Sequence, residues 1–189
     1  MHVHTVDPED AEGPVKAMYD DAQAAEGYVP NQIRLFSLNP AARAAWTQLV
    51  GSIRDRMDLR RYELATVAAA GALRCRYCVS AHAAVLESNF YNHDQLEAIA
   101  RDYRTADLEP VDVAIMAFAE KVALHAHKVT PEDVDGLRAF GLTDTDIFDV
   151  TLAAAARSFY SKALEAMGAE PDEALASTNG LLDLIELRP

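Results

Sequence analysis

The chain has 189 residues, half of them hydrophobic and a quarter charged. That suits one ordinary domain with a real core and argues against global disorder. With 30 Asp and Glu against 17 Lys and Arg, the formal net charge is −13. A chain this acidic, without a Lys/Arg-rich run, is a poor binder of nucleic acid or an anionic membrane.

The N-terminal residues Met1 to Asp10 have no basic n-region and no apolar h-region, so no secretory signal is expected. The longest apolar block, Val67 to Leu73, falls well short of the ~18 residues of a membrane span. A cytoplasmic location is the expectation. There, a single close cysteine pair points to catalysis, redox chemistry or metal binding rather than a structural staple.

Helical signals run nearly the whole length: Ala and Leu abound, Gly and Pro are few, and β-branched alternation is scarce. Asp7-Pro8-Glu9-Asp10 starts a first predicted helix that stops near Gly27. Asn39-Pro40 opens a second, through Trp46, Leu49 and Ile53. Asp58 caps another beginning near Arg60. Ile115, Phe118, Ala119, Val122 and Ala126 mark the buried face of a further helix, with Glu120 and Lys121 off it. Thr130-Pro131-Glu132-Asp133 starts a short helix ended by Gly141, although Glu or Gln at 133 would be needed for a full capping box. Thr143 and Asp146 begin a long helix with a small-residue stripe, Ile147, Val150, Thr151, Ala154 and Ser158, that allows close packing. Gly168 and Pro171 separate it from a C-terminal helix. The reading is a single all-α domain, 1–189, of about eight or nine helices. Residues 1–27 form a helical arm available to a neighbouring subunit.

The two cysteines, Cys75 and Cys78, sit at i and i+3. At the first turn of a helix this spacing brings two thiols within disulfide reach, and a helix N-terminus lowers a thiol pKa. His82 follows Cys78 by four residues, on the same helix face, where an imidazole can take a thiol proton or stabilise the thiolate. Glu63 precedes Cys75 by twelve residues. In one straight helix the two would be ~18 Å apart, at 1.5 Å per residue. A turn back near Leu73 to Cys75, which Gly71 could ease, makes 58–90 a helical hairpin and sets Glu63 beside His82 as the orienter of a base. The helix-start position leaves Cys75 open as the nucleophile, as in thioredoxin-like sites.

Glu63, Cys75, Cys78 and His82 at these offsets, with Tyr77 beside Cys78, resemble the motif of the alkylhydroperoxidase D and carboxymuconolactone decarboxylase superfamily. The rest of the chain, including Tyr28-Val29-Pro30-Asn31 and residues 130–166, is similar to its peroxidase-related branch. The resemblance implies an all-helical fold in symmetric homo-oligomers (dimers, trimers or hexamers). It also implies thiol-based reduction of hydroperoxides, with no haem, metal or other cofactor. Cys78 would be the peroxidatic thiolate and Cys75 the resolving thiol. His82 and Glu63 would relay protons, His82 giving one to the leaving alkoxide, and an external dithiol, lipoyl-type or on a thioredoxin-like protein, would recycle the disulfide. Alkylhydroperoxidase D has a second His where this chain has Tyr77, a poor base near neutral pH. The true decarboxylases lack the Cys pair, which argues against lactone decarboxylation here.

Other readings stand beside this one. Cys75, Cys78 and His82, completed by Glu63 or water, could hold zinc, though structural sites usually take four Cys/His ligands. The pair could serve a non-catalytic redox sensor or interaction protein, or an enzyme acting on another small substrate. His125 and His127, at i and i+2, fall on different helix faces and read as helix-end or interface residues. Trp46, Phe118, Phe140, Phe148 and Phe159 read as core or subunit contacts. Phe36, Phe90 and Tyr91 are candidates for the approach to the thiols.

Overall fold

A computed structural model describes residues 1–186. Those residues form ten α-helices and four short 3-10 turns, and no strand. The helices are α1 Gly13–Glu26, α2 Asn31–Leu35, α3 Pro40–Arg54, α4 Leu59–Ala72, α5 Arg76–Asn89, α6 His93–Asp102, α7 Pro110–His125, α8 Pro131–Arg138, α9 Asp144–Ala166 and α10 Leu181–Glu186. Two of them, α2 and α10, have 5 and 6 residues, which is why the expected eight or nine become ten.

The helix starts follow side-chain chemistry. Asn39 accepts from the Ala42 N–H at 3.0 Å and Asp58 from the Arg61 N–H at 3.0 Å, each satisfying one of the orphan donors of a first turn. Thr143 and Asp146 cap reciprocally. Asp133 also closes back on the Thr130 N–H, at 2.8 Å, so the shorter acid does what Glu or Gln was expected to be needed for.

The first predicted helix is broken. A 3-10 turn, Pro8–Asp10, is followed by extended backbone at Ala11 and Glu12, and α1 begins at Gly13. Pro14 lacks an N–H and disfavours helical backbone in the residue before it, and Gly13 takes φ +52°. The segment folds onto its own chain. Tyr19, Ala22 and Ile33 form a small cluster with Val6, and Tyr19 Oη donates to the Val6 carbonyl at 2.7 Å.

The centre of the molecule is α4, buried without interruption from Tyr62 to Gly71. A helix that is apolar on all sides needs neighbours on all sides, and α5, α7 and α9 provide them. The expected face of α7 is buried at Ile115, Phe118, Ala119 and Val122, while Ala126 lies beyond the helix end and is exposed.

The chain does reverse between α4 and α5, but not at Gly71. Gly71 lies inside α4, where its missing side chain admits Ile185 of α10: a Cβ there would come within 2.9 Å of Ile185 Cδ1. The turn is made by Arg74, with φ 56°. A left-handed conformation costs an L-residue roughly 1–2 kcal/mol, part of which glycine returns to the flexible unfolded chain. Arg74→Gly is therefore expected to stabilise the protein by about 0.5–1 kcal/mol, measurable as a raised thermal midpoint with an unchanged circular dichroism spectrum.

Candidate active site

The α4–α5 reversal places the cysteines. Cys75 is the N-cap residue of α5 and Cys78 lies in its first turn, three residues on, next to the free N–H groups of a helix start. Both are unpaired thiols with 0% and 2% exposure. A cavity of about 350 Å³ reaches Cys78; Cys75 is not in its wall. The same cavity is lined by Glu63, Tyr77, His82, Trp46, Tyr62, Arg157 and Tyr160, and by the exposed Glu26 and Arg54, where it meets solvent.

Antiparallel packing of α4 on α5 brings Glu63 and His82 together, nineteen positions apart: Glu63 Oε2 is 2.6 Å from His82 Nδ1. Glu63 is 4% exposed, so its carboxylate has little water to turn to and the imidazole is its partner. The other ring nitrogen, Nε2, lies 3.0 Å from Arg157 Nη1. A guanidinium can only donate. Nε2 is thus the acceptor, and the ring proton sits on Nδ1, donated to Glu63. Tyr62 closes the edge of the imidazole, ring centres 6.3 Å apart.

The electrostatics separate the two thiols. The Cys75 thiol donates to the Cys78 sulfur, and the nearby Arg157 guanidinium adds favourable charge. Despite burial, the Cys78 pKa is pulled down to about 6. The Ser161 hydroxyl, which has no oxygen or nitrogen partner, adds a further donor for the thiolate. Cys75 is pushed far up by the proton it shares with Cys78 and by burial. At neutral pH the site holds a Cys78 thiolate and a Cys75 thiol.

Tyr77 stands in the wall. Its hydroxyl donates to the carboxylate of Asp172, which also accepts the Asn31 N–H at 2.9 Å. Burial raises the phenol pKa, so this hydroxyl keeps its proton. The contact ties the loop after α9 to α5 and α2.

Trp46, Arg157 and Tyr160 are among the wall residues that had no place in the sequence reading of the site. Arg157 is 3% exposed, with its guanidinium carbon 4.8 Å from the Trp46 ring centre and 5.8 Å from that of Tyr160. Trp46 and Tyr160 stack at 4.4 Å. The signal for Arg157 was present: it follows Ala154 by three and Val150 by seven, on the buried stripe of α9, where a charge is unexpected. Trp46, expected in the core or at a subunit contact, is a site wall. The suggested approach residues are elsewhere. Phe36 stacks behind Tyr160, Phe90 is exposed, and Tyr91 accepts from Arg60; none lines the cavity. His125 ends α7 and His127 lies in the 3-10 turn that follows it, both at the surface. Among the described residues no group of three or more His, Cys, Asp or Glu side chains is placed to hold a metal ion, and no helix is long and apolar enough to cross a membrane.

Fold and site define an all-helical protein with a dithiol at a helix start and a carboxylate–imidazole pair beside it. Residues 40–121 match the carboxymuconolactone decarboxylase family. The chain also shares its fold with the alkylhydroperoxidase AhpD core of a peroxidase-related protein from Ralstonia eutropha: 23% identity, 94% of this chain and 95% of that one covered, TM-score 0.85. A peroxidase-related protein from a Silicibacter species is similar at 21% identity, covering 93% and 95%, with TM-score 0.79. The debrominase Bmp8, as a cysteine-to-alanine variant in complex with 2,3,4-tribromopyrrole, is similar at 17% identity, covering 96% and 97%, with TM-score 0.78. No curated protein sequence matches the chain. The family match thus covers the segment from α3 to α7, including the two cysteines, Glu63 and His82, and the chain as a whole shares the all-helical fold of these neighbours.

Proposed function

We propose that the protein is a thiol-dependent peroxidase that reduces small organic hydroperoxides through Cys78 and Cys75. One observation carries this reading: the cavity opens on the thiol held as a thiolate, while the protonated thiol lies behind it. The thiolate attacks the terminal peroxide oxygen, an S–O bond forms as the O–O bond breaks, and the alkoxide leaves and is protonated to the alcohol. The Cys75 thiol then attacks the sulfenic acid, giving the disulfide and water. An external dithiol restores both thiols and is itself oxidised to a disulfide. Both sulfurs are buried, so the reductant is a small dithiol or one carried on a slender arm rather than a dithiol fixed on a broad protein face. Glu63 orients His82, and Tyr77 shapes the wall. The exposed side chains of Leu49 and Phe148, which share a surface groove, support self-association through α3 and α9.

The test is hydroperoxide consumption with dithiothreitol and dihydrolipoamide. Many turnovers per site are expected, and none in the Cys75→Ser, Cys78→Ser double variant. Activity that survives in that variant removes the thiol mechanism, and a reaction that stops after one equivalent favours a redox switch instead. The first-turnover rate should rise with pH through about 6 and level off above 7, since deprotonation supplies the nucleophile.

A second reading uses the same dithiol to reduce an aryl halide, releasing halide and leaving a ring C–H as the disulfide forms. The flat walls of Trp46, Tyr62 and Tyr160 favour it. Bromide release from bromopyrroles, without peroxide consumption, distinguishes it.

A further inference from the structure

We propose that Arg157 holds the departing oxygen of the hydroperoxide and, through the same guanidinium, keeps His82 in its Nδ1–H tautomer, whose Nε2 accepts from Arg157 and has no proton to give to the cavity. The first half rests on the peroxidase reading; the second does not.

Among the described residues Arg157 has no carboxylate within ion-pair distance, although it is almost wholly buried. Buried cations are ordinarily paired. Its Nη1 is committed to His82 Nε2 and its Nε has no acceptor. Trp46 and Tyr160 lie against the guanidinium, which restricts its plane. The result is a fixed positive group lining the cavity that contains Cys78, short of acceptors until an anion arrives. The first anion is the Cys78 thiolate. The second is made by the reaction: as the S–O bond forms, the negative charge passes from sulfur to the departing oxygen. A preorganised donor aimed at charge that develops in the transition state is worth far more than one that binds the uncharged reactant.

His82 is poorly suited to be the acid in this state. Its ring proton is directed at Glu63, and a second proton on Nε2 would face the Arg157 cation at 3.0 Å. The alkoxide, held by Arg157, takes its proton from cavity water instead. The other groups around Arg157 do not alter this account. Burial raises the Tyr62 and Tyr160 pKa values, so both phenols stay protonated through the range used below.

The experiment separates this role from simple thiolate stabilisation. Sulfenic acid formation with tert-butyl hydroperoxide is followed in single turnover at pH 9, with the Cys78 thiolate fraction of each protein read from its ultraviolet absorbance, so that rates are compared per thiolate. Arg157→Gln is expected to slow the reaction at least tenfold there, with Arg157→Lys intermediate; thermal melts confirm that each is folded, and Lys serves if Gln is not. A Gln variant within twofold of the native protein at pH 9 overturns the oxygen-holding role. Nitrogen-15 spectra of the imidazoles, assigned with His82→Gln, read the second half without turnover. His82 is expected protonated at Nδ1 and bare at Nε2, with the other tautomer emerging in Arg157→Gln; a native His82 protonated at Nε2 overturns it. A native protein inert to hydroperoxide sinks the peroxidase reading and the oxygen-holding role together, and leaves the tautomer to be decided by its own spectrum.

Discussion

Cys78→Ser is expected to bring dithiol-driven hydroperoxide consumption down to background, while Cys75→Ser still forms one sulfenic acid per chain and then stops. The two thiols differ by three residues in sequence but by their surroundings in space. Cys78 faces the cavity with a pKa near 6; Cys75 is wholly buried, outside the cavity wall, and holds its proton. Only a thiolate that the peroxide can reach will attack it. The hydrogen bond from Cys75 is the largest contributor to the lowered Cys78 pKa. Cys75→Ser should therefore react more slowly than the native protein at pH 7 and recover towards it at pH 9. Sulfenic acid trapping with dimedone, read by mass spectrometry, reports each step. If Cys75→Ser is the variant that loses trapping at both pH values while Cys78→Ser keeps it, the roles are reversed.

Glu63→Gln should lower the rate of the first step by about tenfold to a hundredfold, the scale on which a displaced positioning group costs rate, because a His82 free to change tautomer no longer fixes the Arg157 guanidinium. The amide can still accept from Nδ1–H, but it carries no charge and can also donate, so the imidazole is no longer held in one tautomer. Glu63→Ala adds a stability cost of about 1–3 kcal/mol, because a buried donor is left without its acceptor. Denaturant melts together with single-turnover kinetics separate these effects: the Gln variant loses rate with little stability, the Ala variant loses both. A Gln variant with native kinetics would show that the pair is structural only.

How much of this was legible in the chain depends on how local the cause is. The caps at Asn39, Asp58 and Thr143 are read within four residues, because side chain and orphan N–H are neighbours in sequence. The hairpin was legible because a straight helix would have separated Glu63 from the cysteines, and the partnership with His82 followed from the reversal. The device that makes the reversal was not: Arg74 takes a glycine-like φ that its side chain does not advertise, and Gly71 answers instead to Ile185, more than a hundred residues away. The break before α1 is local, but the acids after Pro8 masked it, and Gly13-Pro14 set the true start.

By itself the sequence determined the all-helical class, the spacing of Glu63, Cys75, Cys78 and His82, and the superfamily that this spacing resembles. These follow from periodicity and from offsets along one short hairpin. The tertiary structure decided which thiol meets the cavity, which nitrogen of His82 carries the proton, and that α3 and α9 complete the wall with Trp46, Tyr160 and Arg157. Those features arise where helices distant in sequence pack side by side. A buried guanidinium and a shifted thiol owe their character to neighbours that only the folded chain supplies.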